Sequence, residues 1–201
     1  MDRARLSSVP LCGALLLAAL TAGAQPRLSA KPEIRRELST TTGEGVEGIK
    51  GLRATFYVAA PPDRVLDVLW DVRRFPEMFP DIKDMKVLAG RDAQLDVRFR
   101  VDAVLAEVTY TLRRTVDRER RLIRWREIAG DLERVRGSWR VEATDDPGTS
   151  RVTYASFVSV SAFVPESVYR DIAIGKVEEL TERVRAAVRA PAAARTAGSG
   201  G

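Results

Sequence analysis

Between residues 82 and 160 the sequence reads as six short strands joined by connections too short to cross over. Residues 82–88 open the run. Leu95, Val97, Phe99 and Val101 then alternate with Asp96, Arg98, Arg100 and Asp102, which is period two. Val108, Tyr110 and Leu112 alternate with Thr109, Thr111 and Arg113. Residues 122–128 carry Ile123 and Trp125, and Val135, Gly137, Trp139 and Val141 alternate with Arg136, Ser138, Arg140 and Glu142. Residues 151–160 form the last strand. Gly130-Asp131 and Asp145-Asp146-Pro147-Gly148 are turn signals. A parallel neighbour needs a crossover of about a dozen residues or more, so these strands must pair antiparallel.

The flanks decide what covers the sheet. Residues 52–59 read as an earlier strand, with Phe56 and Val58 on one parity. Pro61 and Pro62 end it and open a helix in which Val65, Leu66, Leu69 and Val72 fall at helical spacing. Asp63, Asp67 and Asp71 form an acidic line on that helix, read as a solvated face. Phe75-Pro76-Glu77-Met78-Phe79-Pro80 is broken by two prolines, so only a second short helix or helical turn fits there. From Pro165 a long helix runs to residue 189, with Val168, Ile172, Val177, Leu180 and Val184 on one stripe and Glu179–Arg183 as an i,i+4 pair. At 1.5 Å per residue it spans about 37 Å, enough to lie across a sheet. The expectation is an α+β fold: a curved antiparallel sheet of about seven strands wrapped on a long C-terminal helix, with two short helices after the first strand.

The ends read differently. Residues 1–24 have the three parts of a secretory signal peptide: Arg3 and Arg5, an apolar run from Leu11 to Leu20, and Ala22-Gly23-Ala24 as a small-x-small cleavage site. The run would reach about 15 Å as helix against roughly 30 Å of hydrocarbon, so it is too short to span a membrane. A periplasmic or secreted protein is expected, cleaved near Ala24. Residues 25–45 read as a flexible lead-in that joins the sheet edge near its end, 46–189 as the folded domain, and 190–201 as a disordered Ala/Gly/Ser tail.

Composition narrows the chemistry. There is no His, and Cys12, the single Cys, lies in the segment expected to be removed. Imidazole bases, serine triads, thiol nucleophiles, disulfides and His- or thiolate-ligated metals are excluded for the mature chain. No cofactor and no metal site are expected. The formal net charge is +5, carried mostly by Arg. The densest basic stretch, Arg113 to Arg126, lacks aromatic interleaving, so nucleic acid is not the expected partner, whereas contact with an anionic membrane surface fits.

The order of elements and their punctuation resemble the START-like helix-grip superfamily (SRPBCC; polyketide cyclase/dehydrase-like and coenzyme Q-binding-like proteins). The residues that carry the resemblance are Ala59-Ala60-Pro61-Pro62-Asp63-Arg64-Val65 with Val68-Leu69-Trp70-Asp71, then Phe75 through Ile82, then Gly137-Ser138-Trp139-Arg140-Val141, and Gly148-Thr149-Ser150-Arg151-Val152-Thr153-Tyr154. The resemblance implies a hydrophobic small molecule, such as a lipid, quinone or polyketide, held between sheet and C-terminal helix.

Pocket candidates follow from parity and position: Phe75, Met78 and Phe79 in the proline-broken segment; Phe99, Tyr110, Leu112, Ile123, Trp125, Glu127, Trp139 and Tyr154 on strands; Tyr169 and Ile172 on the long helix. Ordinary core packing is the competing reading of each. Arg114 shares parity with Leu112, so it and Glu127 would be the polar groups that orient a ligand if they point inward. Parity sets Tyr154 and Phe157 on opposite faces and leaves the side of Trp139 open. No catalytic residue is assigned. The reading is an exported, non-catalytic binding protein or carrier. A cyclase/aromatase-like enzyme using Glu127 or Tyr110 and a ligand-free interaction module are the alternatives.

Overall fold

A computed structural model describes residues 28, 30–38, 50–103, 106–131, 133–159 and 166–190. The expected signal peptide, and the expected C-terminal tail beyond Ala190, lie outside these residues. The chain forms β1 (Glu33–Leu38), β2 (Lys50–Val58), α1 (Pro62–Trp70), a 3-10 turn (Val72–Arg74), α2 (Phe75–Met78), β3 (Ile82–Arg91), β4 (Gln94–Ala103), β5 (Ala106–Asp117), β6 (Leu122–Gly130), β7 (Glu133–Ala143), β8 (Ser150–Ser159) and α3 (Glu166–Arg189).

Among the described residues all strands join one antiparallel sheet in the order β1-β2-β8-β7-β6-β5-β4-β3. The sheet has eight strands where about seven were expected. The extra one, β1, comes from the lead-in. It pairs along β2, and Ile34 packs with Leu52, Ala54 and Val177. Ile34 and Leu38 are the only apolar residues of that strand, so the segment shows no alternation to read.

Both short helices obey their prolines. Pro62 sits in the first turn of α1, where its missing N–H would be unpaired anyway. Val65, Leu66, Val68 and Leu69 are buried on the face toward the sheet. Asp71 ends the helix in an extended conformation, and its carboxylate accepts a bond from Arg73 N–H. The acidic line of α1 is not merely solvated: Asp63 and Asp67 pair with Arg121 and Arg118 on the β5–β6 hairpin, at 2.7 and 2.9 Å.

Arginines also finish two helix C-termini, where the last carbonyls have no partner within the helix. Arg74 Nη1 donates to Ala187 O and Arg64 Nη2 to Ala190 O, each at 2.7 Å, tying α3 to the α1–α2 region. Arg114 donates to Leu69 O and Trp70 O at the end of α1. Arg185, buried, reaches Tyr57 O and Ala30 O and so fastens α3 to β2 and the start of the chain. The Arg excess is thus partly structural.

The main core lies between sheet and helices, with Phe56, Val97, Ile123, Trp139, Val141, Val152 and Val184 nearly or fully buried. Phe157 and Ala155 form a separate cluster on the outer face. Tyr154 and Phe157 therefore point to opposite sides, as parity requires. Trp139 lies on the Trp125 face, since Ile123 opposes Trp139 and Trp125 opposes Gly137.

Candidate functional site

An inner cavity of about 210 Å³ opens against the concave face of the sheet. Eight of the sequence-derived candidates line it: Phe75, Phe79, Phe99, Tyr110, Leu112, Trp125, Trp139 and Tyr154. Two aromatic groups make its walls. On the β4–β5 side, Phe99 stacks on Phe75 with centroids 5.9 Å apart and 18° between planes, and Tyr110 lies 5.8 Å from Phe99. On the β6–β8 side, Tyr154 lies 4.4 Å from Trp139 and stacks on Trp125 at 5.9 Å. Each wall is a cross-strand cluster: Phe99 opposes Tyr110, and Trp139 opposes Tyr154.

Gly137 is what lets the second wall form. A Cβ there would collide with the Trp125 indole and with Ala155 O. The spacing Gly137-x-Trp139 therefore puts a space and an indole on the same face, and Trp125 fills the space.

Five candidates are placed otherwise or not described in side chain. Met78 is buried and lines an adjoining groove instead of the inner cavity. Ile123 is fully buried opposite Trp139 on the neighbouring strand and does not line the cavity; it lies at the end of β6 that the Arg121–Asp63 pair ties to α1. Glu127 has the expected parity but does not line the cavity. Its Oε2 accepts from Val135 N at 3.1 Å, beside the irregular register of β7, and its buried Oε1 has no partner. Tyr169 and Ile172 fall in α3, and their side chains lie outside the described residues.

Sequence reasoning missed several lining residues. Val101, Ser156 and Val158 share parity with Phe99 or Tyr154, so alternation alone would have found them. Val135 shares parity with Gly137 and Trp139, so alternation reaches it too, although the register of β7 is irregular between Glu133 and Arg136. Asp81 and Ile82 enter through the turn after α2.

Arg114 is the notable polar member of the lining. It is 1% exposed. Its guanidinium lies over the Phe75 ring at 4.4 Å and the Trp70 ring at 5.1 Å, and donates to Leu69 O at 2.8 Å. No carboxylate pairs with it among the described residues. Loss of water lowers its pKa to about 9, so it remains a cation at neutral pH. Burial, with smaller contributions from Tyr154 and Glu127, raises the Tyr110 pKa far above the ordinary phenol value. Tyr110 stays a neutral donor and cannot serve as a base at physiological pH.

The cavity continues outward. Phe79, Asp81, Val101 and Tyr154 also line an open groove of about 500 Å³ that reaches Lys176, Val177 and Leu180 on α3. Lys176 Nζ pairs with Asp81 Oδ2 at 2.7 Å across the groove.

A curved antiparallel sheet gripping a C-terminal helix, with an apolar cavity against its concave face, defines a helix-grip protein. The chain belongs to the family described as polyketide cyclase / dehydrase and lipid transport, whose pattern matches residues 58–185. Among solved structures it is similar to TTHA0849 from Thermus thermophilus, at 21% identity over 68% of this chain and 94% of that one, TM-score 0.59. It is also similar to the Zhui aromatase/cyclase from Streptomyces sp. R1128, at 23% identity over 78% and 92%, TM-score 0.56. The STAR-related lipid transfer protein from Xanthomonas axonopodis aligns at 17% identity over 78% and 94%, TM-score 0.59. At these identities the likeness is one of fold. No curated protein matches the chain.

Proposed function

We propose that the protein is an exported, non-catalytic binding protein or carrier for a hydrophobic small molecule, seated in the aromatic cavity and extending along the groove toward α3. The N-terminal apolar run with its small-x-small site supports export. The observation that carries the binding reading is a cavity walled by two aromatic clusters with a buried guanidinium in its lining. Alone, about 210 Å³ is below the roughly 300 Å³ at which small-molecule sites usually begin, which would suit a ligand-free module. The continuous groove supplies the further room.

The cyclase alternative draws support from the aromatase/cyclase among the similar folds. It needs a group that moves protons at the reacting centre. Glu127 is outside the cavity lining, Tyr110 is held protonated, and Asp81 is engaged by Lys176. Binding without turnover fits these positions better.

Organic extraction of the purified chain followed by mass spectrometry tests the reading. The expected result is a stoichiometric apolar molecule from the native chain and none from Ser156→Phe, which fills the cavity. An empty native chain whose tryptophan fluorescence responds to no fatty acid, isoprenoid quinone or polycyclic ketone would overturn it.

A further inference from the structure

We propose that the outer, convex-side face of the sheet is a docking surface for an anionic phospholipid bilayer. Residues that face one another across neighbouring strands there repeatedly carry the same charge. Arg113 opposes Arg126, which in turn opposes Arg136; Lys86 opposes Arg98; Arg35 opposes Arg53. Like charges directly opposite destabilise a sheet, so an isolated soluble domain gains nothing from this pattern. Some of these cations are offset locally: Asp96 holds Arg113, Glu33 holds Arg35, and Arg136 lies over the Phe157 ring. Arg98, Arg124, Arg126 and Arg140 are exposed and have no ion-pair partner among the described residues.

The array has two dimensions. It runs from β1 at one edge to β3 at the other, eight strands or about 34 Å at the usual strand spacing. A field of phosphate headgroups meets cations on several neighbouring strands at once, with the unpaired ones on β4, β6 and β7, whereas a single polymer strand would contact one line of them. The face offers few stacking platforms for bases, since Phe157 is buried under Arg136, Tyr57 is a half-buried ring on β2 at the far side of the sheet from β5 and β6, and no helix projects from the face among the described residues. The other side of the domain is different: Asp63, Asp67, Glu178, Glu179 and Glu182 on α1 and α3 each pair with a cation, so charge there is balanced. The cavity lies on the opposite face of the sheet, so docking leaves its mouth free. The inference does not require the cavity to be occupied.

Vesicle co-sedimentation of the full chain tests this, comparing phosphatidylcholine alone with phosphatidylcholine containing phosphatidylglycerol at physiological salt. The readout is the change in preference for anionic vesicles between native and variant chains, which share the N-terminal segment with its Arg3 and Arg5 and so cancel its contribution. The native chain is expected to prefer anionic vesicles. Arg98→Gln/Arg124→Gln/Arg126→Gln/Arg140→Gln should lose that preference by about a hundredfold or more, at roughly fivefold per cation. The same four positions as Lys should retain it. Arg73→Gln/Arg118→Gln/Arg183→Gln/Arg189→Gln, with the same net charge but on the helical side, should stay within about fivefold of native. No anionic preference, equal loss in both Gln variants, or loss in the Lys variant overturns the proposal. So does tighter binding to duplex or single-stranded nucleic acid than to vesicles, abolished by the sheet-face variant. A thermal melt of each variant confirms that the fold is intact.

Discussion

Trp125 on β6 stands directly opposite Gly137 on β7, and its indole fills the space that a side chain at Gly137 would occupy. The pair fixes one wall of the cavity. Gly137→Ala must displace both the indole and the β8 backbone at Ala155, an overpacking expected to cost about 2–3 kcal/mol by chemical denaturation. Gly137→Ala combined with Trp125→Leu should recover at least about 1 kcal/mol of that loss, since contacting residues couple. Simple additivity of the two changes would show that the indole is not what the glycine accommodates.

Arg114 both caps α1 and supplies the cavity with a cation. Arg114→Met leaves the carbonyls of Leu69 and Trp70 without their donor, at a cost of about 1–3 kcal/mol. The same change removes a buried charge, which offsets part of that loss. The ligand readout separates the two roles. With the native chain, an apolar carboxylate should bind about tenfold or more tightly than the matching alcohol, because a charge-assisted bond is worth about 1.5–3 kcal/mol. With Arg114→Met the two should bind alike. Calorimetric titration with a fatty acid and its alcohol makes the comparison.

Tyr110 gives an alkaline signature. Its folded-state pKa lies above that of the unfolded chain, because burial disfavours the phenolate. Above about pH 10 the unfolded state releases this proton and the folded state keeps it. Stability from this group is therefore complete below pH 10 and falls as pH rises, by up to about 1.4 kcal/mol per pH unit. Arg114 acts in the opposite sense, since its lowered pKa makes the folded state release a proton first, from about pH 9 upward. Comparing native and Tyr110→Phe chains isolates the phenol. The native chain should lose stability relative to the variant between pH 10 and 11.5, and constancy of the difference across that range would refute the burial argument.

The outer-face ladder also predicts a stability change. Arg126 lies between Arg113 and Arg136, with no ion pair of its own among the described residues. Arg126→Glu converts two repulsive cross-strand neighbours into attractive ones but turns the attraction between Arg126 and Asp96 into repulsion, so the net gain should be about 0.5 kcal/mol. The gain should shrink in high salt, where exposed charges are screened. Thermal melts at low and high salt measure it.

The alternation of Leu95 to Val101 and of Val135 to Val141 was sufficient to place β4 and β7, and the prolines at 61, 62, 76 and 80 to place the short helices, because these signals are local. β1 was less legible. Its place depends on pairing with β2 and on the packing of Ile34 against Val177, which is far away in sequence. Strand parity identified most of the aromatic walls. It could not separate Ile123 from the cavity, since depth along a strand is invisible to a period of two. Val135 shares parity with Trp139, so its inward face was legible, but parity does not tell a residue that reaches the cavity from one that only packs the core. Arg114 was visible as an inward candidate, but its partner, the C-terminus of α1, is a tertiary contact.

The Lys176–Asp81 pair bridges α3 and the segment after α2 across the groove that continues the cavity. Both side chains remain partly in water, 47% and 40% exposed, so the pair should contribute under about 1 kcal/mol to stability. Its position matters more than its strength. Asp81 lines both the inner cavity and the groove, so a molecule leaving the aromatic walls passes beside the pair. Lys176→Met keeps the aliphatic stem and removes the charge. The expected outcome is a melting temperature within about 2 °C of native and faster release of a bound apolar fluorophore, by about three- to tenfold, corresponding to roughly 0.7–1.4 kcal/mol on the barrier. Raising the salt should speed release from the native chain and leave the variant unchanged, because only the native mouth is held by an exposed ion pair. Stopped-flow displacement at two ionic strengths reads both effects, and equal salt dependence in the two chains would remove the pair from any role at the mouth.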